Sequence, residues 1–482
     1  MRNDFLVRCQ PKLSLLDEEQ KREIHLASLN VLERTGIVVH DEESLRLLRE
    51  AGCEIRENKR VHIPPAVVEE ALRSVPPRIS IYDRDAKLSM LLEGRKSYFG
   101  TGSDTPNVID FETGRRRKAV LADVERAALL ADGLSEVDFV MSMGLASDVP
   151  AELSDRYHFA AMVSNSTKPI MFTAWSLDGL RDIYQMAAAV AGGEERLRRN
   201  PFIIHYAEPI APFVHPRESL EKLLFCAEKG IPVEYHCISM GGTTAPATLA
   251  GSVVQANARM LSGVVIHQLK AKGAPLIVQA PVIFFDMRTS LMPYFGPEWC
   301  VSAATSKEMA MFYGIPTFGK AGVTDSKVFD QQAGIEIGMS ILAENLVGNN
   351  LIHDMGYLES GLTSCLESLV VCSEVVSMAR RIMRGIDLSP EHFCLDLMDR
   401  VGPEGNYLAE DHTARHFRRE FWFPRILDRY PYEAWMEEGG KTLAEKAHME
   451  AERVFREHVP KALQPEIREA LDETLEKGKE RA

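Results

Sequence analysis

The sequence has few cysteines, and it lacks the paired spacing that is typical of redox and zinc sites. Its eight cysteines are scattered over 482 residues without a Cys-x-x-Cys pair. In a chain of this length, such usage indicates reduced, mostly structural cysteines in a cytoplasmic protein. Long hydrophobic runs are also missing. The N-terminus lacks the apolar core of a signal peptide, and apolar stretches such as 281–285 are too short to span a bilayer. We therefore expect a soluble protein without a membrane segment.

Positive charge is scarce as well. Lys and Arg total 56 against 70 Asp and Glu, which gives a net charge of −14, and the basic residues form no block. This balance argues against binding to nucleic acid or to anionic membranes. The hydrophobic fraction of 45% and the charged fraction of 26% are those of an ordinary globular protein.

From about residue 97, short apolar runs alternate with long amphipathic segments of helical periodicity. The spacing of the runs, roughly 30 to 43 residues, suits one strand, one helix and two loops per unit. The eight apolar runs are 98–101, 137–143, 169–174, 202–206, 233–237, 276–280, 317–320 and 351–354. An open doubly wound sheet would call for a glycine-rich dinucleotide loop after the first strand, and none occurs there. The pattern therefore favours an α/β fold, an eight-stranded (β/α) TIM barrel.

Gly-x-Pro punctuation marks three helix-to-strand boundaries, at 230–232, 273–275 and 314–316. The sequence predicts an N-terminal, mostly helical cap for residues 1–96 and the barrel for residues 97–385. Residues 386–482 read as a C-terminal helical extension. We expect the extension to pack on the barrel or on a second subunit, which makes a homo-oligomer plausible.

Signatures of nucleophilic and metal chemistry are weak. The sequence has no Gly-x-Ser-x-Gly elbow, and the first predicted strand carries no histidine. His205, His236 and His353 come from different strands and would form a metal site only if they converged. A metal-dependent barrel hydrolase therefore remains an alternative.

Aromatic residues are prominent at the predicted strand ends, where barrels carry their functional sites. They are Tyr98, Phe99, Trp175, Tyr206 and Tyr357. Aromatic faces attract quaternary ammonium groups, so one interpretation is a cation-binding cage. The alternative is ordinary core packing. A glycine-rich turn contains Gly241 and Gly242, whose amides either hold an anion or simply form a tight loop that needs positive φ.

Several of these segments carry a family resemblance, and together they span nearly the whole chain. They are 98–104 (YFGTGSD), 240–248 (MGGTTAPAT), 286–289 (DMRT), 322–327 (GVTDSK), 330–334 (DQQAG) and 353–361 (HDMGYLESG). In these segments the chain resembles the trimethylamine methyltransferase family, whose members pass a methyl group from a methylamine to a corrinoid protein.

The resemblance implies a barrel with its substrate in the central mouth and a separate corrinoid protein docked over it. No tightly bound cofactor and no metal are implied. Members that act on trimethylamine carry a pyrrolysine in the region of 322–327, where this sequence has standard residues, including Lys327. Relatives without pyrrolysine act on quaternary amines such as glycine betaine, proline betaine or carnitine.

We therefore predict a methyltransferase that moves a methyl group from a quaternary amine, glycine betaine or a related betaine, to cobalt(I). A methylamine-binding barrel without activity is a further alternative. No side chain is expected to react. His353, together with the amides of Gly241 and Gly242, would bind the substrate carboxylate, and Glu208 would face the ammonium. The predicted substrate-binding set is Tyr98, Phe99, Trp175, Tyr206, Glu208, Gly241, Gly242, Lys327, His353 and Tyr357.

Overall fold

The structure of the protein, a computed structural model, describes residues 8–481. In chain order the strands are β1 (Arg8–Cys9), β2 (Ile37–Val39), β3 (Glu54–Arg56), β4 (Arg60–His62), β5 (Ile79–Tyr82), β6 (Leu88–Leu92), β7 (Tyr98–Thr101), β8 (Asn107–Ile109), β9 (Arg116–Lys118), β10 (Ile170–Phe172), β11 (Ile203–Ala207), β12 (Val214–His215), β13 (Val233–His236), β14 (Ser239–Gly241), β15 (Leu276–Gln279), β16 (Val282–Phe284), β17 (Phe318–Lys320), β18 (Leu351–Met355), β19 (Tyr357–Leu358), β20 (Thr363–Ser364) and β21 (Ile386–Asp387).

The α-helices, in chain order, are α1 (Glu18–Arg34), α2 (Glu42–Glu50), α3 (Pro65–Ser74), α4 (Leu121–Gly133), α5 (Ser154–Asn165), α6 (Leu177–Ala191), α7 (Glu194–Arg199), α8 (Arg217–Lys229), α9 (Leu249–Lys270), α10 (Pro297–Tyr313), α11 (Gln331–Val347), α12 (Leu366–Met383), α13 (Leu395–Val401), α14 (Asp411–Glu420), α15 (Tyr432–Glu437), α16 (Leu443–Glu457) and α17 (Pro465–Arg481).

Eight parallel strand segments close into a barrel. β10, β11, β13 and β15 pair in that order, and β17, β18 and β7 form a second run. Single bridges complete the ring, from Val278 to Thr317 and through the irregular second strand, where Phe139 and Val140 pair with Gly100 and Ile170. The predicted fold class, an α/β TIM barrel, is confirmed.

At two of the three predicted Gly-x-Pro boundaries, the glycine ends the helix. The third helix, α9, ends at Lys270, before Gly273. α8 and α10 end at Gly230 and Gly314, which adopt left-handed conformations with φ of 71° and 72°. A proline two residues later starts the chain into the next strand, because proline cannot continue a helix. These two turns set β13 and β17 into the barrel.

Side-chain alternation along the strands separates two hydrophobic cores. Along β11, Ile204 and Tyr206 point into the barrel interior, whereas Ile203 packs into the outer layer between strands and helices. The hairpin of β5 and β6 closes the bottom of the barrel, since its Ile81 and Met90 pack against the interior core. Only the opposite end, where the strands terminate, is left for a binding site.

The N-terminal region contains strands as well as the predicted helices. β2, β3 and β4 form a small sheet, and β12 from the loop after β11 joins its edge. α1 and α3 pack on α9 of the barrel. The cap is therefore tied to the barrel by both helices and a shared sheet.

The C-terminal extension wraps around the outside of the barrel. α16 packs on α12 and α4, and α17 packs on α6. Arg481 at the end of α17 forms an ion pair with Asp182 of α6, at 2.6 Å. Within residues 8–481, α9 is the one helix with the length and composition of a membrane-crossing segment, and 78% of its most apolar stretch is buried inside the protein.

Candidate functional site

Four rings meet where the barrel strands end. They belong to Tyr206 on β11, His236 on β13, Phe318 on β17 and His353 on β18. The ring centroids lie between 4.3 Å and 6.4 Å apart. Burial raises the pKa of Tyr206 and lowers that of His236, so both side chains are uncharged near neutral pH. The floor of the mouth is thus aromatic and, at these two positions, neutral.

Asp104 supplies a fixed negative charge on one side of the mouth. Its carboxylate accepts hydrogen bonds from Ser142 (2.9 Å) and Thr173 (2.6 Å), and His158 Nδ1 lies 3.4 Å away. Burial by itself would raise the pKa of Asp104, but these three side chains outweigh it and the net shift is downward. Its side chain keeps 28% exposure. Asp104 is therefore an ionised carboxylate with access to the mouth.

Glu208 follows β11 and lies next to the four rings. The Tyr206 hydroxyl donates to Glu208 Oε2 at 3.4 Å. The side chain is accessible but sits in a concave protein environment, and this desolvation raises the pKa of its carboxyl group. Asp104 and Glu208 thus place two carboxyl groups around the mouth, after β7 and β11.

Lys320 lies at the end of β17, two strands from β7 and three strands from β11 around the barrel. Its Nζ is 3.7 Å from the ring centroid of Tyr294 and 4.2 Å from that of Trp299, and it donates to the Tyr294 carbonyl at 2.5 Å. Burial lowers the pKa of Lys320 to about 8. The faces of Tyr294 and Trp299 are thus already occupied by a cation of the protein.

Asp354 connects the loops above β18. Tyr294 donates to its Oδ2 at 2.7 Å, and His353 Nδ1 lies 2.8 Å from its Oδ1. A Cβ atom on Gly102 would overlap both Asp354 and Tyr357. The glycine therefore lets the loop after β7 approach the end of β18.

Large apolar side chains are exposed around the mouth, on loops at the carboxyl ends of the barrel strands. Each is between 49% and 65% exposed. They are Trp175, Ile210, Met287, Leu291, Val328 and Leu362. Exposed apolar groups concentrated on one face are typical of a surface that contacts another molecule. We call these six residues the apolar rim.

Of the residues predicted from sequence, the structure brings Tyr206, Glu208 and His353 together in the mouth. Trp175 lies on the rim, 59% exposed, with its indole N–H bonded to Ser154. Tyr357 lies behind the mouth, 2% exposed, and its hydroxyl donates to the Ser103 carbonyl. It supports the loop that carries Asp104.

Tyr98 and Phe99 do not lie in the mouth. Tyr98 begins β7 at the bottom of the barrel, where its hydroxyl accepts from the Leu91 amide at 3.1 Å. Phe99 is fully buried in the outer core. Only the last inward-facing residues of a barrel strand lie at the mouth. Tyr98 and Phe99 are the first two residues of β7. His205 also points outward, against Phe172, so only His236 and His353 converge.

Gly242 and Lys327 also differ from expectation. The Gly242 amide donates to the Ala245 carbonyl at 3.0 Å and its φ is +92°, as in the tight-loop alternative. Gly241 packs against the Phe284 ring. Lys327 is exposed and its Nζ donates to the Asp325 carbonyl at 2.7 Å. The Gly242 amide is therefore not free to bind a carboxylate. Lys327 does not lie with Tyr206 in the mouth.

Sequence reasoning missed His158, Tyr294 and the cage around Lys320. His158 is on α5, which was not predicted, and Tyr294 lies in the long loop between β16 and α10. The Asp286–Thr289 motif in that loop was a signal that it matters. Among residues 8–481, no group of three or more His, Cys, Asp or Glu side chains is arranged to hold a metal ion.

Comparison with known proteins decides the family. The family model described as trimethylamine methyltransferase (MTTB) matches residues 1–482. This chain belongs to that family. It is therefore a member of a methyltransferase family over its whole length.

Relatives in the trimethylamine methyltransferase family have more than one substrate in their names. A glycine betaine methyltransferase of Desulfitobacterium hafniense (strain Y51) is 30% identical over 473 residues, 98% of each chain. The trimethylamine methyltransferase MttB of Methanosarcina thermophila is 31% identical over 466 residues, 95% of each chain. Identity at this level does not separate the two substrates.

Among solved structures, the monomethylamine methyltransferase MtmB of Methanosarcina barkeri is similar in fold. Its TM-score is 0.54 at 12% identity, covering 92% of this chain and 89% of that one. At this identity the likeness supports the barrel architecture alone.

Proposed function

We propose that this family member transfers a methyl group from a quaternary amine, glycine betaine or a related betaine, to the cobalt(I) of a separate corrinoid protein. The observation that carries the proposal is the presence of groups of both charges around a ring-lined floor. Asp104 and Glu208 place carboxyl groups after β7 and β11, and Lys320 places an ammonium group at the end of β17. A betaine carries one positive and one negative charge, so the mouth offers a group of opposite charge to each end.

The carboxyl groups of Asp104 and Glu208 suit the trimethylammonium end of the substrate. A quaternary ammonium cannot donate hydrogen bonds, so it is held by negative charge and by aromatic faces. Asp104 is ionised, and the Tyr206 ring lies beside Glu208. We propose that these groups bind the cation and that His353 contacts the carboxylate.

The chemistry needs no acid or base from the protein. When a methyl group leaves a quaternary ammonium, the C–N bond breaks and its electron pair stays on nitrogen, so the amine departs neutral. The corrinoid partner supplies the nucleophilic electron pair that forms the new bond to the methyl carbon. The residues of this chain then orient the methyl group and exclude water.

The apolar rim supports a protein partner over the mouth. A methyl acceptor carried by another protein must enter from the open end, since β5 and β6 close the bottom. The six exposed apolar residues surround that open end. We therefore propose that the corrinoid protein docks on the apolar rim and that this chain holds no tightly bound cofactor of its own.

The position of Lys327 is compatible with a substrate that needs no pyrrolysine. Its side chain is exposed, and its Nζ is hydrogen-bonded to the backbone of its own loop. A preformed quaternary amine is already activated for methyl loss by its positive charge. We propose that Lys327 takes no part in the reaction.

We also propose a cytoplasmic, homo-oligomeric protein. The described thiols are free, which fits a reducing compartment. They are those of Cys53, Cys226, Cys237, Cys300, Cys365, Cys372 and Cys394. The C-terminal extension exposes Leu395, Leu408, Phe421 and Tyr432, each more than 60% accessible, and such side chains are typical of subunit contacts.

The test incubates the full-length protein with cobalt(I) cobalamin and, separately, glycine betaine, proline betaine, carnitine, choline and trimethylamine. We expect loss of the cobalt(I) absorbance with a betaine and formation of the matching tertiary amine. Activity with trimethylamine alone, or with no quaternary amine, would overturn the proposed function. The Asp104→Asn variant should lower activity at least tenfold, because it removes the fixed negative charge.

A further inference from the structure

At the level of the four rings and just below it, the barrel interior holds polar side chains without a hydrogen-bond partner. Glu234 on β13 is 0% exposed, and neither carboxyl oxygen has a hydrogen bond. Gln279 on β15 is 2% exposed, and both of its amide atoms are unpartnered. His236 Nδ1 also lacks a hydrogen bond. Buried polar groups without partners are costly, so such a cluster calls for a ligand or a functional reason.

These groups share one patch of the barrel wall. His236 and Gln279 are register partners on the adjacent parallel strands β13 and β15. Residues paired in this way point to the same face, and Ile277, two residues before Gln279, lies in the interior core. His236 and Gln279 therefore face the mouth side by side, on the side of Lys320 and away from Asp104.

Glu234 lies one step deeper on the same strand. Its Oε1 is 3.4 Å from His236 Nδ1. Burial raises the pKa of Glu234 well above its usual value, and the negative charge of Glu208 adds to the shift. This shift favours the protonated form of Glu234, and a carboxylic acid has one O–H to donate.

A protonated Glu234 would fix the tautomer of His236. A neutral imidazole has one N–H donor and one acceptor nitrogen. If the Glu234 O–H points at Nδ1, the ring proton must lie on Nε2, which is on the far side of the ring from Glu234. His236 then offers an N–H donor to the mouth, next to the amide donors of Gln279.

We propose that His236 and Gln279 bind the carboxylate of the substrate, and that Glu234, whose Oε1 lies 3.4 Å from His236 Nδ1, positions His236 for this contact. The inference rests on the proposed function and identifies the residues that bind the carboxylate end of the substrate. Lys320 and Arg259 add positive charge near this patch, since both lower the pKa of His236. Glu208 raises the pKa of Glu234, and the rings of Tyr206 and His353 lie 5.3 Å and 6.4 Å from the ring of His236.

The decisive experiment compares the binding of two quaternary ammonium compounds, one with a carboxylate and one without. Glycine betaine carries a carboxylate, and tetramethylammonium does not. We expect Gln279→Met to weaken glycine betaine binding by roughly 10- to 100-fold, the range for hydrogen bonds to a charged group. Tetramethylammonium binding should stay unchanged. Calorimetry on the full-length protein gives both dissociation constants.

Asp104→Asn is the matched control, because it removes charge from the cation side and should weaken both probes. Equal loss of both probes in Gln279→Met, no loss of either, or a wild-type protein that does not bind glycine betaine would overturn the inference. A wild-type protein that binds glycine betaine selectively but never demethylates it would refute the proposed function and leave this site in place.

The role of Glu234 has a spectroscopic test. In ¹⁵N-histidine spectra, His236 should be the Nε2–H tautomer in the wild type and in Glu234→Gln, whose amide can still donate to Nδ1. Leucine is of similar size but has no donor. In Glu234→Leu, His236 should therefore no longer be held as the Nε2–H tautomer, and glycine betaine binding should weaken several-fold. An unchanged tautomer and affinity in Glu234→Leu would overturn the positioning role. Thermal melting verifies that each variant is folded.

Discussion

Two acidic residues of the mouth have unusual backbone conformations. Asp104, after β7, has φ of 60°, and Asp354, at the end of β18, has φ of 76°. For residues with a Cβ the left-handed region costs on the order of 1–2 kcal/mol, although Asp tolerates it better than most. Such strain concentrates at functional sites, because the surrounding contacts must hold it in place. Asp104 accepts hydrogen bonds from Ser142 and Thr173, and Asp354 accepts one from Tyr294.

Lys320 gives the site a dependence on pH. Because burial lowers its pKa to about 8, Lys320 is charged at neutral pH and loses its charge as the pH rises through that value. We expect affinity for glycine betaine to fall by roughly tenfold above this pH, since a charge in a partly buried site is worth on the order of 1 kcal/mol or more. Binding titrations over a pH series measure the effect.

Two variants of Lys320 serve as references for that titration. Arginine remains protonated throughout the range, so Lys320→Arg should retain affinity at high pH. Lys320→Met should bind weakly at every pH. The same loss of affinity in Lys320→Arg as in the wild type would assign the titration to another group.

At the scale of elements, most of the barrel is predictable from sequence. The amphipathic segments expected between the runs 276–280, 317–320 and 351–354 are α10 and α11. Glycine stops and amphipathic spacing are local signals, so they need no knowledge of the tertiary structure. The irregular second strand, by contrast, has only single bridges.

α5 shows why part of the site was missed. It has buried residues all around, including the polar Asp155, Arg156 and His158. A helix whose polar residues are inside lacks the apolar stripe that marks a helix in sequence. Arg156 pairs with Asp155 and Asp182, and His158 reaches Asp104. Contacts between distant elements created this part of the site.

Gly102 tests the packing of the loops above the barrel. In Gly102→Ala the new methyl group would overlap Asp354 and Tyr357, and overpacking of this kind typically costs about 1–3 kcal/mol. We expect a lower melting temperature and strongly reduced methyl transfer.

Gly338→Ala is the control for this substitution. Gly338 lies in α11 with open space around its Cβ position, and alanine favours helix, so this variant should be as stable as the wild type or more so. Normal stability and activity in Gly102→Ala would show that the loops tolerate displacement.

At the scale of the whole molecule, the apolar rim predicts where a protein partner binds. Met287→Asp should slow methyl transfer to the corrinoid protein, by tenfold or more, while transfer to free cobalamin stays close to the wild-type rate. Leu26→Asp is a matched control, since Leu26 on α1 is 63% exposed and Met287 is 65% exposed. Steady-state rates with the two acceptors separate docking from chemistry.

Two outcomes would count against docking at the rim. Equal slowing with both acceptors would place Met287 in the substrate site rather than in an interface. Equal slowing by Leu26→Asp would indicate a general effect of surface charge.

The small sheet of the N-terminal region limits how the barrel can be altered. β12 belongs to the loop after β11, which carries Glu208, yet it is hydrogen-bonded as an edge strand to β2. Grafting that loop onto another barrel, or replacing it with a relative's loop, would remove one of the four strands of the small sheet. Exchange of substrate preference between relatives would therefore have to move the first 80 or so residues together with the loop, as one inherited module.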